Sequence, residues 1–259
     1  MTEAGDTTAD AAARARGWRN DQHTAVCDVI EPWEHGTVVR ATDRPSYWDL
    51  NVVRVEDDPS MSLQELIGFA DEALAGLEHR GMTFDDAAVG ESLRAGFEAE
   101  GWQSTRLIWM RHEVPPPPGP GLAVEEVPYD AVADLRTAWH YEDFPDQDPT
   151  DFHAHAREIS LARGARLLAV IEDGEPVAYA QIEERGAAAE VTSVYVHPDR
   201  RGSGLGTALT RASVEASGDV ADLWIVADDD ARAKEIYARL GFRPVWTSLE
   251  FLRLPPGTE

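Results

Sequence analysis

The chain has 259 residues, with 48 acidic side chains against 23 lysines and arginines, so its formal net charge is −25 at pH 7. A balance this acidic disfavours nucleic acid and anionic membrane surfaces as partners, because both call for a basic face. The length suits one large domain or two small ones, and no apolar run has the length of a membrane span.

Cys27 is the only cysteine, which removes any intrachain disulfide and fits a reducing, cytoplasmic setting. Lys234 is the only lysine, so arginine supplies nearly all the positive charge. Residues 1–16 are polar, acidic at their start and without an apolar core, and are expected to form a flexible lead-in rather than a secretion signal. In the first half, 17–113, strands are expected at 24–30, 36–41 and 48–55. Helices follow at 63–77 and 87–99, and a last strand at 103–111. Val114-Pro-Pro-Pro-Pro-Gly-Pro-Gly121 is an extended, semi-rigid linker, because proline-rich backbone cannot join a hydrogen-bond ladder.

The second half, 122–259, opens with a strand at 122–127. Helices at 130–139 and 151–163 are separated by an irregular stretch from Tyr141 to Pro149. Strands at 166–172 and 176–184 flank Asp173-Gly174, a strong hairpin signal. A β-branched strand at 190–196 ends in His197-Pro198 and a glycine loop, and a helix at 205–216 closes near Gly218. A strand at 222–227, a helix at 231–240 stopped by Gly241 and a strand at 242–254 complete the chain. The order β-α-α-β-β-β-α-β-α-β predicts an α/β (α+β) fold, a mixed sheet with helices on both faces.

The chemistry is concentrated between Glu190 and Thr207. Gly202, Gly204 and Gly206 free the backbone at the start of a helix, where converging N–H groups and the helix dipole favour an anion. The dinucleotide pattern G-x-G-x-x-G is not met, since Thr207 stands at its third glycine, and no Lys-Ser/Thr pair follows as in ATP-binding loops. What does fit is Arg201-x-x-Gly204-x-Gly206 directly after a strand. This resembles the acyl-CoA pyrophosphate loop of the GNAT (Gcn5-related N-acetyltransferase) superfamily. A second signature, Ala233-x-x-x-Tyr237-x-x-x-Gly241-Phe242, stands at the family's separation from the first.

The resemblance implies a mostly antiparallel mixed sheet flanked by helices, acyl-CoA N-acyltransferase-like, in two such domains. The first half is similar in order, and Gly101-Trp102 leading to Trp109-Met110-Arg111 mirrors Gly241-Phe242 leading to Phe251-Leu252-Arg253. Where a phosphate loop belongs, it carries Glu56-Asp57-Asp58-Pro59-Ser60-Met61-Ser62, three carboxylates and no glycine. A tandem arrangement follows, whose N-terminal copy has lost coenzyme binding.

By the same resemblance, Arg201, Gly202, Ser203, Gly204, Leu205, Gly206 and Thr207 hold pyrophosphate, and Val194, Tyr195 and Val196 pair with the pantetheine arm. A backbone N–H near Val194 serves the oxyanion, Glu190 is the base, and Tyr237 is the acid toward the coenzyme sulfur. The residues alone also allow plainer roles: Glu190 as a solvated strand-edge carboxylate, and Tyr237 as part of the apolar stripe of Ala233, Ile236 and Leu240. Asp230 stands where the family often has asparagine, which loses an amide donor. Tyr141, Glu142, Asp143 and His153 fall where the family shapes its acceptor site. His153 and His155 point to different faces of a helix, and with one cysteine no metal site is expected. The expected function is acetyl-CoA-dependent N-acetyl transfer to a small-molecule primary amine, directly within a ternary complex, by a monomer or homodimer. A non-catalytic acyl-CoA-binding regulatory or scaffold protein is the alternative.

Overall fold

A computed structural model describes residues 7–119 and 122–255. In chain order the first half contains α1 (Thr8–Thr24), β1 (Val29–Trp33), β2 (Gly36–Arg40), β3 (Val52–Val55), α2 (Leu63–Ala73), β4 (Arg80–Phe84), α3 (Ala87–Ala99) and β5 (Gln103–His112). The second contains β6 (Glu125–Val127), α4 (Ala133–Asp143), α5 (Thr150–Ala162), β7 (Arg166–Glu172), β8 (Glu175–Arg185), β9 (Ala188–Val196), α6 (Leu205–Ala216), β10 (Asp222–Asp228), α7 (Ala233–Arg239) and β11 (Phe242–Arg253).

All eleven strands join one mixed, mostly antiparallel sheet, in the order β1-β2-β3-β4-β11-β5-β10-β9-β8-β7-β6. Leaving out the edge strand β6, the order reads alike from both ends when β1 to β5 are matched with β7 to β11. The two parallel pairs, β3–β4 and β9–β10, occupy corresponding places. The halves have exchanged their last strands. β11 lies between β4 and β5, and β5 lies between β11 and β10. Both carry bulky alternating side chains along ten or more residues, which lets them pair from Phe242↔His112 to Leu252↔Gln103, with one bulge between Pro244 and Trp246.

Side-chain alternation then sorts the layers. Trp109 faces Trp246 across β5 and β11, on the side where α1 packs. Ile108, Leu249 and Phe251 point the other way, into the cores beneath α2, α3, α6 and α7. The expected hairpin is present: Asp173 (φ +53) and Gly174 (φ +89) are both left-handed, and Glu172 pairs with Glu175.

The strand expected at 24–30 begins only at Val29, that expected at 48–55 opens with a 3-10 turn at Trp48–Leu50 and becomes strand at Val52, and three larger features differ from the sequence expectation. The lead-in expected over 1–16 is helical from Thr8 onward, with residues 1–6 lying outside the described residues. Thr7 and Asp10 cap α1 reciprocally, and Ala11, Ala15 and Trp18 bury a narrow stripe against Trp109, Trp224 and Trp246. The stripe recurs at steps of four and three, but two of its members are alanines, so its apolar signal is faint. Secondly, β4 is a strand absent from the expectation. Arg80-Gly81 opens it, and every residue from Gly81 to Phe84 is buried, Thr83 included, so the short strand lies inside on both faces. Thirdly, residues 114–119 of the expected linker are a connection and not a division between sheets, because the exchange of β5 and β11 ties 17–113 to 122–255. The N–H groups of Glu113 and Val114 bond the Gly241 carbonyl, at 3.0 and 3.3 Å. Pro120 and Gly121, like residues 256–259, lie outside the described residues.

Candidate active site

β9 and β10 part company after four positions. They are paired from Asp222↔Ala188 to Ile225↔Val191. Beyond that, β10 follows β5 as far as Asp228↔Leu107, while β9 follows β8 as far as Val196↔Ala178. Among the described residues, the edge of β9 from Thr192 to Val196 therefore has no neighbouring strand on its β10 side. Just past the fork, the β8–β9 register shifts and Ser193 takes φ +52. A non-glycine residue in that region costs on the order of 1 kcal/mol. The bulge sends Val194 toward the core under α6 and Tyr195 to the opposite face. Thr192-Ser193-Val194-Tyr195 reads locally as uninterrupted strand, so the sequence carries no mark of it.

The glycine loop leads from the end of β9 into α6. Gly202 (φ +79) and Gly204 (φ +88) are both left-handed, and a Cβ at either would meet open space. Gly204 caps α6 without any side-chain bond. The first bond into the helix is from Ala208 N–H to the Gly204 carbonyl (3.0 Å), which leaves the N–H groups of Leu205, Gly206 and Thr207 without a helical partner. Ser203 turns its hydroxyl to the Arg200 carbonyl.

Arg201, expected to help hold the anion, is engaged within the protein. Its N–H bonds the Pro198 carbonyl (3.2 Å), and its guanidinium donates to both Glu142 oxygens at 2.9 and 2.7 Å. Arg200 pairs with Glu172 at 3.1 Å. Backbone amides, then, are what the loop leaves to an anion. Glu142 is correspondingly not free to face an acceptor. The Tyr195 hydroxyl also donates to it (2.6 Å), and Tyr195 is stacked on Trp139 with ring centres 5.4 Å apart. Burial works against the Glu142 carboxylate, but the bonds from Tyr195 and Arg201 outweigh it and hold its pKa below the usual range.

Tyr237 projects from α7 into the core under the fork, edge-on to Phe242 with ring centres 6.2 Å apart. Its hydroxyl takes no hydrogen bond among the described residues, yet it is not sealed from solvent. Burial pushes its pKa up to about 12, so the phenol stays protonated at neutral pH.

Glu190 is not a solvated edge carboxylate. It lies opposite Glu183 and beside Trp224, one residue before the pairing ends, and accepts the Trp18 indole N–H at 2.6 Å. Burial and the charge of Glu183 push it up to about 7. Glu183 in turn accepts from Gln22 (2.9 Å) and Gln181 (2.7 Å) and pairs with Arg163 at 3.4 Å. Gln181 accepts from Arg136 at 2.8 Å. This polar chain runs from beneath α1 toward a cavity of about 950 Å³, which it reaches at Gln181.

That cavity lies between the halves. Tyr179, Gln181 and Ser193 line it beside the fork, with His140, Asp143 and His153 from the second half. Tyr47, Trp48, Asp49 and His79 come from the first half and were not anticipated. Tyr47 stacks on Phe152 (5.5 Å) and Trp48 meets Phe144 edge-on (5.5 Å), so aromatic contacts join the walls. Of the residues expected to face an acceptor, Asp143 and His153 line the cavity. Burial raises the former and lowers the latter. Tyr141 is 46% exposed and does not line it, and Asp230 is exposed beyond the end of β10.

The corresponding place in the first half is closed. β3 and β4 stay paired from Val53↔Met82 to Val55↔Phe84, and Asp85 N–H extends the contact to the Val55 carbonyl at 2.9 Å. Ser62 and Glu65 cap α2 reciprocally, so a side chain occupies the Glu65 N–H, whose counterpart in α6, at Thr207, has no side-chain cap.

A forked parallel pair with an uncapped helix at its mouth defines an acyl-coenzyme transferase fold. The model of the acetyltransferase (GNAT) family matches residues 129–242, a little under half of the chain. A mycothiol acetyltransferase from Nocardia farcinica (strain IFM 10152) is 41% identical over 80 residues, which is 30% of this chain and 26% of that protein. The chain thus matches about a quarter of that curated relative's length. Among solved structures, a GCN5-related N-acetyltransferase from Kribbella flavida is similar with a TM-score of 0.56 and 19% identity, over 95% of this chain and 96% of its own. A functionally unknown conserved protein from Staphylococcus epidermidis ATCC 12228 reaches a TM-score of 0.66 at 16% identity, over 88% and 94%. At these identities the two structures speak for the fold, and they do so across both halves.

Proposed function

We propose that the protein is an acetyl-CoA-dependent N-acetyltransferase that moves the acetyl group directly to a primary amine in a ternary complex. The observation that carries this is the fork after Val191 and Ile225, with the open amides of α6 at one end and the cavity at Ser193. Pyrophosphate sits on the N–H groups from Gly202 to Thr207, where the helix dipole adds to the hydrogen bonds. The pantetheine arm takes the place of the missing strand beside Val194, Tyr195 and Val196.

The acceptor nitrogen enters from the cavity and attacks the thioester carbonyl. The oxyanion is met by a backbone N–H near Val194, which the bulge at Ser193 reorients. As the C–S bond breaks, Tyr237 gives its proton to the departing sulfur. Glu190 receives the ammonium proton through water, since its carboxylate does not line the cavity. Its raised pKa makes it basic enough near neutrality to do so. The first half, whose own parallel pair is closed and capped, contributes a wall of the acceptor site and does not bind coenzyme.

Calorimetry with acetyl-CoA tests the seat. Gly204→Glu places a carboxylate at the mouth of the amides and forces a left-handed backbone on a residue with a Cβ. Affinity is expected to fall by about a hundredfold or more, and unchanged affinity overturns the assignment. Tyr237→Phe is expected to lower turnover by about 10- to 100-fold with acetyl-CoA affinity retained. Equal turnover returns Tyr237 to a packing role.

A further inference from the structure

The base proposed for the second half is held from the first. α1 precedes every strand of the chain, yet three of its side chains reach into the second half: Arg14 to Asp222 at 2.7 Å, Trp18 to Glu190 at 2.6 Å and Gln22 to Glu183 at 2.9 Å. They recur at steps of four, so one face of the helix carries all three. Arg19 ties the same helix to Asp85 of the first half at 2.6 Å, and Arg185 of β8 bonds the Asp21 carbonyl at 2.6 Å. Those ionic bonds suffice to strap the halves together. The Trp18 bond goes instead to the carboxylate one residue before the fork.

Two carboxylates lie side by side beneath this face, since Glu183 and Glu190 are paired across β8 and β9. They are unequally supplied. Glu183 accepts from Gln22, Gln181 and Arg163, and the guanidinium offsets its charge. The Trp18 indole is the one hydrogen-bond donor to Glu190 among the described residues. An indole N–H donates and cannot accept, so it fixes Oε2 as an acceptor and leaves Oε1 for an incoming proton. The ring is 5% exposed and packs with Trp109, Trp224 and Trp246, which sets the direction of its N–H. Burial raises both carboxyls, and the charge of Glu183 raises Glu190 further, while the Trp18 bond and Arg163 act against that rise. His23, on the next turn of α1, is held well below the usual histidine range by burial and is neutral.

Resting on the acetyl-transfer reading, we infer that α1 supplies positioning residues for the base: Trp18 pins Oε2 of Glu190 so that Oε1 takes the acceptor's proton through water, and Gln22 holds the facing Glu183 in place. Both lie outside the segment that the family model matches. The first half then takes part in the chemistry without touching the reacting atoms.

The test uses the full chain and follows Glu190 by carboxyl carbon NMR, its resonance identified by its loss in Glu190→Gln. Trp18→Phe removes the indole donor and keeps an aromatic ring. It is expected to raise the Glu190 titration midpoint by about half a pH unit or more. Glu183→Gln deletes the facing charge and is expected to lower the midpoint by a similar amount. Thiol release from acetyl-CoA with a panel of primary amines is read over the same pH range. Its rising limb is expected to move with the midpoint, up in Trp18→Phe and down in Glu183→Gln, with acetyl-CoA affinity within about twofold of the parent's. A packing role for Trp18 does not produce this opposition. Should Trp18→Phe fold poorly, the Trp18 indole N–H resonance of the parent carries the test: it is expected to shift with pH through about 7, and to be pH-independent in Glu190→Gln. A midpoint that moves by less in Trp18→Phe, or an indole resonance indifferent to Glu190, overturns the inference and leaves acetyl transfer intact. A rate limb that ignores a moved midpoint overturns it as well, by assigning the base elsewhere. Thiol release with no amine of the panel removes the transfer reading and the inference together.

Discussion

Expressed without its first half, residues 122–259 are expected to form no soluble, coenzyme-binding domain. Two strands decide this. β11 has β4 and β5 as its neighbours, both from the first half, so in the fragment it has no partner at all. β10 loses β5 along its outer edge, from Trp224↔Arg111 to Asp228↔Leu107. At about 1 kcal/mol net for each hydrogen bond, those ladders approach the whole stability of a domain, about 5–15 kcal/mol. Removing α1 also uncovers Trp224 and Trp246, which are 0% and 7% exposed in the intact chain. The edge strands left behind invite aggregation. Co-expression of residues 1–119 with residues 120–259 is expected to restore a soluble complex, because the pairing needs no covalent link. A fragment 122–259 that binds acetyl-CoA within about threefold of the full chain's affinity is the result that sinks this expectation.

The exchange also explains which parts of the fold were legible in the sequence. Residues 87–99 form a helix at the expected bounds, and the glycine loop from Arg201 to Gly204 precedes a helix beginning at Leu205 as expected. Such features are fixed by neighbours in sequence: a capping Asp86, or a glycine that frees the backbone. The partner of a strand is not fixed that way. Gln103–His112 and Phe242–Arg253 are both long, bulky and arginine-rich near their ends, and neither states which half it will join. The fork is hidden for the same reason, since Thr192 to Val196 is good strand sequence whether or not β10 stays beside it. The first half's share of the cavity was equally invisible. Tyr47, Trp48 and Asp49 lie in a loop and a 3-10 turn, and only long-range packing brings them against α4 and α5. The acidic segment Glu56-Asp57-Asp58 that precedes α2, by contrast, was readable in the sequence. So was the capping pair Ser62 and Glu65 that starts that helix.

Glu190→Gln is expected to separate stability from activity. In the folded chain Glu190 keeps its proton up to about pH 7, whereas an unfolded glutamate releases it above roughly pH 4.5. Between those values the folded state binds the extra proton. The contribution of this residue is therefore fully present below about pH 4.5 and is lost as pH rises through 7. Glutamine keeps an oxygen for the Trp18 indole and carries no charge against Glu183. The variant should match the parent near pH 4.5 and become more stable by up to a few kcal/mol at pH 8, read from urea midpoints. Turnover should move in the opposite direction. A base with this pKa gives a rate that climbs with pH through about 7, and the glutamine variant loses that limb while acetyl-CoA affinity holds. Equal stabilisation at both pH values would make Glu190 an ordinary packing residue, and a preserved limb would assign the proton to another group. A carboxylate buried beside Trp18 and Glu183 weakens the fold as pH rises through 7, and the paired stability and rate measurements decide whether that cost accompanies a catalytic role.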